Sequence, residues 1–340
     1  MGKKKFSGMA IILSIIALAA IVAAVFVVIK FVINDPESSS NTPVDAASIT
    51  QNANLTNWGF ACEIDGKMYY SDHETGIYIA KESGDELFIE GRYSDLCDLG
   101  EKLVCTEYYM KQYDETSSAE CMQLTMIDLS SGEKKVVFDT PNDEDTLILL
   151  HRVNDLVYFS LSEDMLYTVD QSGEVTYTGV SHVKKVTDSG IYTNKYSEKG
   201  LRLSSFENKE IRTYDSLDTY KVEVNFETEN HIYLKLTQDD GTTWDFVRMD
   251  ADTGEFTSLH YQNEYGTMRS MNYQDGQLYM TFYDDGKCYV CKASETGTQL
   301  TLITTLDSTS EWLNLISIAD DKMYISFPYS DTGSKIVALQ

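Results

Sequence analysis

The chain has 340 residues, 23 of them tyrosine and only 4 proline, with 54 acidic against 27 basic side chains for a formal net charge of −27. So acidic a surface repels phosphate backbones, which excludes nucleic acid as a partner and leaves cations or basic proteins admissible. The apolar residues fall in short tyrosine-rich runs instead of stripes of helical period, the composition of an all-β chain.

Residues 1–8 carry Lys3, Lys4 and Lys5 and read as a cytoplasmic basic tail, and residues 9–33 are an apolar run interrupted by Ser14 and Lys30. At about 1.5 Å per residue this run is long enough to cross a bilayer. The core of a cleaved signal peptide is shorter, about 7–15 residues, so the run reads as a transmembrane signal anchor whose partner is the lipid bilayer. Lysines before the span and Asp35 and Glu37 after it keep the N-terminus in the cytoplasm and place the rest outside, at the cell membrane. Residues 34–53, rich in Ser, Asn and Asp with Pro36 and Pro43, form a polar tether that cannot bury enough apolar surface to fold alone.

From residue 54 to residue 340 one hairpin template recurs. It is clearest in Glu63-Ile64-Asp65-Gly66-Lys67-Met68-Tyr69-Tyr70-Ser71-Asp72, a tight Asp-Gly turn feeding a tyrosine-rich strand. Copies centre on Leu103, Tyr158, Tyr192, Tyr233, Tyr279 and Tyr324. A second pattern follows several of them, an apolar strand ending in Asp and a Ser/Thr-Gly-Glu turn, as in Asp128 to Glu133, Asp170 to Glu174 and Asp250 to Glu255. Two hairpins per repeat of about 41 residues predict a β-propeller of four-stranded antiparallel blades, with seven blades favoured and six possible. The last repeat stops one strand short of a blade. Because an open edge is a liability, residues Ile49 to Leu55 are expected to supply the missing strand and close the ring.

Asn54-Leu55-Thr56-Asn57-Trp58-Gly59 followed by Asp65 to Asp72 resembles the opening repeat of bacterial cell-surface propellers of unknown function. These are similar in turn to the Tyr-Trp-Thr-Asp propellers of low-density-lipoprotein-receptor-related proteins, with Tyr69-Tyr70-Ser71-Asp72 at the matching positions. The resemblance is clear in the first repeat alone. It implies a propeller of six blades and an extracytoplasmic address, and implies no activity.

Thr237 to Trp244 resembles the Asp-box of sialidases, a structural turn in which Asp239 would bond turn amides, Gly241 would take a positive φ and Trp244 would pack beneath. Cys97 and Cys105, at an even spacing around Gly100-Glu101, are expected to be able to face each other across a hairpin, with Cys121 on the next strand. Cys288 and Cys291 have the spacing of a zinc pair, but three residues apart in a strand they point to opposite faces, and no second pair completes four ligands. The five histidines are scattered without a protease or nucleophile-base pattern, and no cofactor is implied.

Tyrosines recurring at one position per repeat are read as sheet packing. Aromatics outside the repeat, Trp58, Tyr108, Tyr109, Tyr261 and Trp312, are the candidate ligand-binding residues, since the fold does not require them. The composite reading is a membrane-anchored propeller that binds an envelope protein or glycan. The alternative is a carbohydrate-active enzyme with carboxylates at the propeller mouth, and a channel filled by the protein itself argues for binding.

Overall fold

The computed structural model describes residues 45–112, 117–140, 142–162, 164–195, 199–259, 261, 264–295, 299–308, 315–327 and 334–339. Seven antiparallel sheets follow one another along the chain, each a blade whose strands lie side by side in sequence order. Blades I to VII span residues 61–90, 92–139, 147–181, 183–214, 221–258, 267–307 and 315–338. Six have four strands and blade VII has three among the described residues. The count is therefore seven, not the six that the receptor resemblance implies.

The repeat is made by its turns. In blade I, Asp65 and Gly66 take φ of 52° and 67°, and Ile64 pairs with Lys67 across them. Two consecutive left-handed residues give a hairpin turn whose twist matches that of the strands. Asp275 and Gly276 repeat it at 49° and 77°. In the second turn pattern the leading Asp caps the chain behind it: Asp128 accepts from the amides of Ser130 and Ser131, and Asp250 from those of Asp252 and Thr253. The Asp-box-like turn works the same way, except that Asp240, not Asp239, holds the amides of Thr242 and Thr243, while Asp239 pairs with Lys199.

Apolar side chains on both faces of every blade have to be covered, and each face is covered by the next blade. The core is accordingly a ring of wedges between neighbouring blades. Cys62, Tyr69 and Ile77 of blade I meet Tyr93, Leu96 and Cys105 of blade II, and the last wedge joins Met68 and Tyr70 of blade I to Ala319 and Tyr324 of blade VII. The repeated tyrosines lie inside these wedges: Tyr69, Tyr158, Tyr192, Tyr233, Tyr279 and Tyr324 are all buried.

The ring is closed otherwise than expected. Residues Ala46–Thr56 form a helix, α1, and pair with no strand. Asp45 caps it by accepting from the Ala47 amide at 3.2 Å, as an N-cap Asp does. The helix occupies the central channel, against the innermost strands Ala61–Ile64, Arg92–Asp98, Leu147–Val153, Val183–Thr187, Lys221–Glu227, Thr267–Gln274 and Leu315–Ala319. Side chains of α1 and of Asn57, which follows it, donate to a backbone carbonyl in every blade. Asn54 reaches Ala61 of blade I and Ile318 of blade VII, Gln51 reaches Leu96 of blade II, and Asn52 reaches Leu150 of blade III and Val186 of blade IV. Thr56 reaches Asn225 of blade V, and Asn57 reaches Met271 of blade VI.

Asn54 does most to join the ends of the ring. Its amide donates to Ala61 O at 3.2 Å and Ile318 O at 2.7 Å, while its Oδ1 accepts from Ile318 N at 2.7 Å and Asn272 Nδ2 at 2.8 Å. The Tyr324 hydroxyl adds a bond to Ser71 O at 2.7 Å. The segment read as a closing strand is thus a helix because the unmet need in the channel is for donors pointing outward in seven directions, which a strand on blade VII would not supply. The apolar run 9–33 lies outside the described residues; among those described, no helix is long and apolar enough to cross a membrane.

Two outcomes follow. Asn54→Ala leaves buried groups of three blades unsatisfied and is expected to destabilise the fold by about 3 kcal/mol in urea unfolding; a loss below about 1 kcal/mol would show that α1 does not hold the ring. The Thr243 hydroxyl and the amides of Thr243 and Thr242 hold Asp240 down to about 2. A carboxyl NMR titration of Thr243→Val is expected to move that midpoint toward the ordinary value of about 3.9.

Candidate functional site

Among the described residues α1 fills the channel, so the surfaces considered first are the two mouths at its ends. The helix starts at the mouth formed by the turns between first and second strands of each blade, where Ser48 meets Asp188, and ends at the opposite mouth beside Phe60 and His73.

At the first mouth Ser48 Oγ donates to Asp188 Oδ2 at 2.6 Å, and His151 Nε2 lies 3.2 Å from both Ser48 Oγ and Asp188 Oδ1. This looks at first like a serine nucleophile with its base. The arrangement is wrong for it, because serine and aspartate share one ring nitrogen. An Nε2–H donated to Asp188 leaves no lone pair there to take the Ser48 proton. The buried His151 Nδ1, where an orienting carboxylate would belong, has no partner among the described residues. Burial pushes His151 down and keeps it neutral, while bonds from His151 and Ser48 outweigh the burial of Asp188 and hold that carboxyl below its usual range. The cavity beside them, bordered by Asn52, Thr187 and Glu227, measures about 10 Å³, room for about one water. The cluster is a polar clasp for the first turn of α1.

Midway along the channel two opposite charges are buried. Lys185 of blade IV donates to Asn52 O at 2.8 Å and Thr56 Oγ1 at 2.7 Å, so it caps carbonyl and hydroxyl groups of α1. Asp95 of blade II accepts from Thr106 Oγ1 at 2.9 Å and Ser94 Oγ at 3.2 Å. Burial pushes Asp95 up to about 7 and Lys185 down to about 7, and in each case the other's charge opposes the shift.

The second mouth gathers aromatics. Trp58 follows α1 in the left-handed region, with φ of 64°, a position natural to glycine and costly for a bulky residue. Its backbone is fixed there, since Trp58 O accepts from Asp95 N and Gly59 O from Leu96 N, both at 2.8 Å. The indole stays 36% exposed. Behind it, ring contacts run from Trp58 to the buried Phe60 at 6.1 Å, from Phe60 to His73 at 5.7 Å and from His73 to Tyr108 at 5.3 Å. Arg92, paired with Glu120, lies over the Tyr108 ring at 5.8 Å. Burial and the Arg92 charge lower His73 and keep it neutral.

Of the residues singled out in the sequence, Trp58 and Tyr108 are therefore brought to one mouth. Tyr109 points to the other face of its strand, where its hydroxyl donates to Asp139 at 2.5 Å. Tyr261 packs against the wedge between blades V and VI, and Trp312 lies outside the described residues. Phe60, His73 and Arg92 were not anticipated; lying outside the tyrosine repeat, they carried no signal that would place them beside Trp58. All six cysteines are free and buried. Cys97 and Cys105 do not face each other: the two-residue turn at Gly100 and Glu101 pairs Asp98 with Leu103 and Cys97 with Val104, and the two thiols enter different wedges. Cys288 and Cys291 do lie on opposite faces of blade VI. Among the described residues no group of His, Cys, Asp and Glu is placed to hold a metal.

No protein-family model and no curated protein matches the chain. Among solved structures it is similar to the GH74 enzyme of Niastella koreensis, with a TM-score of 0.55 and 10% identity over 81% of this chain and 51% of that one. It is also similar to a prolyl endopeptidase, with a TM-score of 0.53 and 11% identity over 88% of this chain and 49% of that one. The chain thus spans about half the length of each. A nidogen in complex with laminin aligns at a TM-score of 0.43 and 11% identity, over 71% of this chain and 93% of that one. The first two similarities show a propeller fold.

The buried pair makes stability depend on pH in two directions. Folding takes up a proton at Asp95 between about 3.9 and 7 and releases one at Lys185 between about 7 and 10.4, so their joint contribution to stability is smallest near pH 7. The difference in unfolding free energy between Asp95→Asn and the native chain isolates the first limb. It is expected to grow in favour of the variant from pH 5 to 7 with a slope of up to about 1.4 kcal/mol per pH unit. Asn tolerates the positive φ of 53° at this position, so the variant keeps the backbone. A flat difference across that range would show Asp95 to be ionised throughout.

Proposed function

We propose that this chain is a membrane-anchored propeller that acts outside the cytoplasm as a binding module for an envelope protein or glycan. The observation that carries the binding reading is α1: the channel, where a propeller enzyme would gather its catalytic groups, is filled by the chain itself. Ligands are then left with the mouths and the outer surfaces of the blades. The Ser48, His151 and Asp188 cluster does not have the geometry of a nucleophile and its base. Support for the anchor comes from the apolar run 9–33, the lysines before it and the polar residues after it. The likeness of the first repeat to bacterial cell-surface propellers points to the same address.

The test is a crosslinking capture from intact membranes with the full chain and with a variant that begins at Asn34. Partners held by the propeller are expected with both; partners lost with the span would assign the interaction to the apolar segment. Protease treatment of intact cells is expected to remove the propeller and spare residues 1–8, and a protected propeller would overturn the orientation.

A further inference from the structure

We infer that the small cavity beside the first turn of α1, bordered by Asn52, His151, Asp188 and Glu227, is a binding site for a primary ammonium group, which enters as a hydrogen-bond donor carrying one positive charge. This goes beyond the binding reading above, and neither depends on the other.

The hydrogen bonds of the wall leave acceptors over and no side-chain donors. Asn52, only 3% exposed, turns its amide nitrogen to Leu150 O at 3.3 Å and Val186 O at 2.7 Å. Those two carbonyls fix the amide, and its buried Oδ1 has no partner among the described residues. His151 is 1% exposed. The Ser48 hydroxyl spends its proton on Asp188 Oδ2, so both neighbours of His151 Nε2, Ser48 Oγ and Asp188 Oδ1, can only accept, and Nε2 carries the ring proton. The neutral ring then keeps a bare lone pair on Nδ1, the second buried atom without a partner. Thr187 donates to Glu227 Oε2 at 2.5 Å, and Ser189 donates to the same carboxylate. Every side-chain donor bordering the cavity is thus engaged, while two buried acceptors stay unmet, a deficit that folded proteins seldom leave open.

Charge and size narrow what fills it. Among the described residues no lysine or arginine pairs with Asp188 or Glu227. The two cations whose charge reaches His151 are turned elsewhere: Lys185 donates to Asn52 O and Thr56 Oγ1, and Arg152 pairs with Asp98. The space measures about 10 Å³, that of one water-sized group. A water would meet both acceptors but bring no charge to the carboxylates. An alkali ion would bring the charge, but hard cations of this kind prefer oxygen to an imidazole nitrogen. An ammonium group has the right size, donates through N–H and carries the charge. Asp188 and Ser189 on the border of the cavity are exposed, which gives such a group a way in from the mouth.

The test titrates the full chain, in non-ionic detergent and with isotope-labelled histidine, with the chlorides of methylammonium, potassium or tetramethylammonium at one fixed ionic strength. The three ions match in charge, and only methylammonium has N–H groups. Methylammonium is expected to raise the thermal midpoint saturably and to shift the Nδ1 resonance of His151, assigned by its change in Asp188→Asn; the other two ions are expected to do neither. Asp188→Asn keeps an acceptor for Ser48 and His151 but loses the charge, and is expected to bind methylammonium about tenfold more weakly or worse. Its urea midpoint in potassium chloride checks that it folds, and the comparison of the three ions on the native chain decides without it. A response to Nα-acetyl-lysine amide equal to that of methylammonium would assign the cavity to lysine side chains, and none would assign it to small free amines. An equal response to potassium would overturn the proposal in favour of a plain cation site, an equal response to tetramethylammonium in favour of bulk charge, and no response to any ion in favour of a bound water. Each of these leaves the binding reading standing, since that reading fails only if intact membranes yield no partner for the propeller.

Discussion

A ring of blades has a weakness at its centre: the innermost strands turn one edge of backbone carbonyls and amides toward the axis, where no neighbouring strand can reach them. Buried backbone groups left unpaired cost about as much as a lost hydrogen bond each. This protein meets that cost with a single helix and the Asn57 that follows it, whose asparagine, glutamine and threonine side chains donate to carbonyls in all seven blades. Everything else about the molecule's centre depends on that set of bonds. They explain why α1 carries polar side chains on several sides although it is buried, with Ile49, Ala53 and Leu55 packed into the wedges between them.

The same bonds join the two ends of the ring. The wedge between blades VII and I is sealed by Met68, Tyr70, Ala319 and Tyr324, and Asn54 binds both blades from within. Among the described residues the ends of the ring are joined from the axis, with no strand shared between blades VII and I.

The fold was legible in the sequence because its repeat is local. An Asp-Gly turn between apolar runs fixes a hairpin within ten residues, as in Ala61–Ile64 and Lys67–Ser71 around Asp65 and Gly66. The helix was not legible for the opposite reason. A sequence such as Ala46–Thr56 has no apolar stripe, since its partners surround it and are backbone carbonyls that leave no trace in the local pattern. Only Asp45 as a cap and the Ile49–Ala53 pair, both on the wedge between blades V and VI in the case of the apolar residues, hinted at it. Trp58 and Tyr108 stood out as aromatics the repeat does not need, but their meeting at one mouth depends on the turn that α1 imposes. The Cys97 and Cys105 spacing misled because facing each other would need an odd number of turn residues, and the hairpin turns in two, at Gly100 and Glu101, which pairs Cys97 with Val104.

Asn54 bonds to Ala61 seven positions away and to Ile318 264 positions away. The first element of the folded unit is therefore the last to find all its partners: it is made before every blade, yet its binding sites are complete only when blade VII has closed on blade I. Contacts of such long sequence separation are slow to form. α1 acts as a check on completeness, because a ring missing a blade would leave some of its amide donors without acceptors and the helix without a seat.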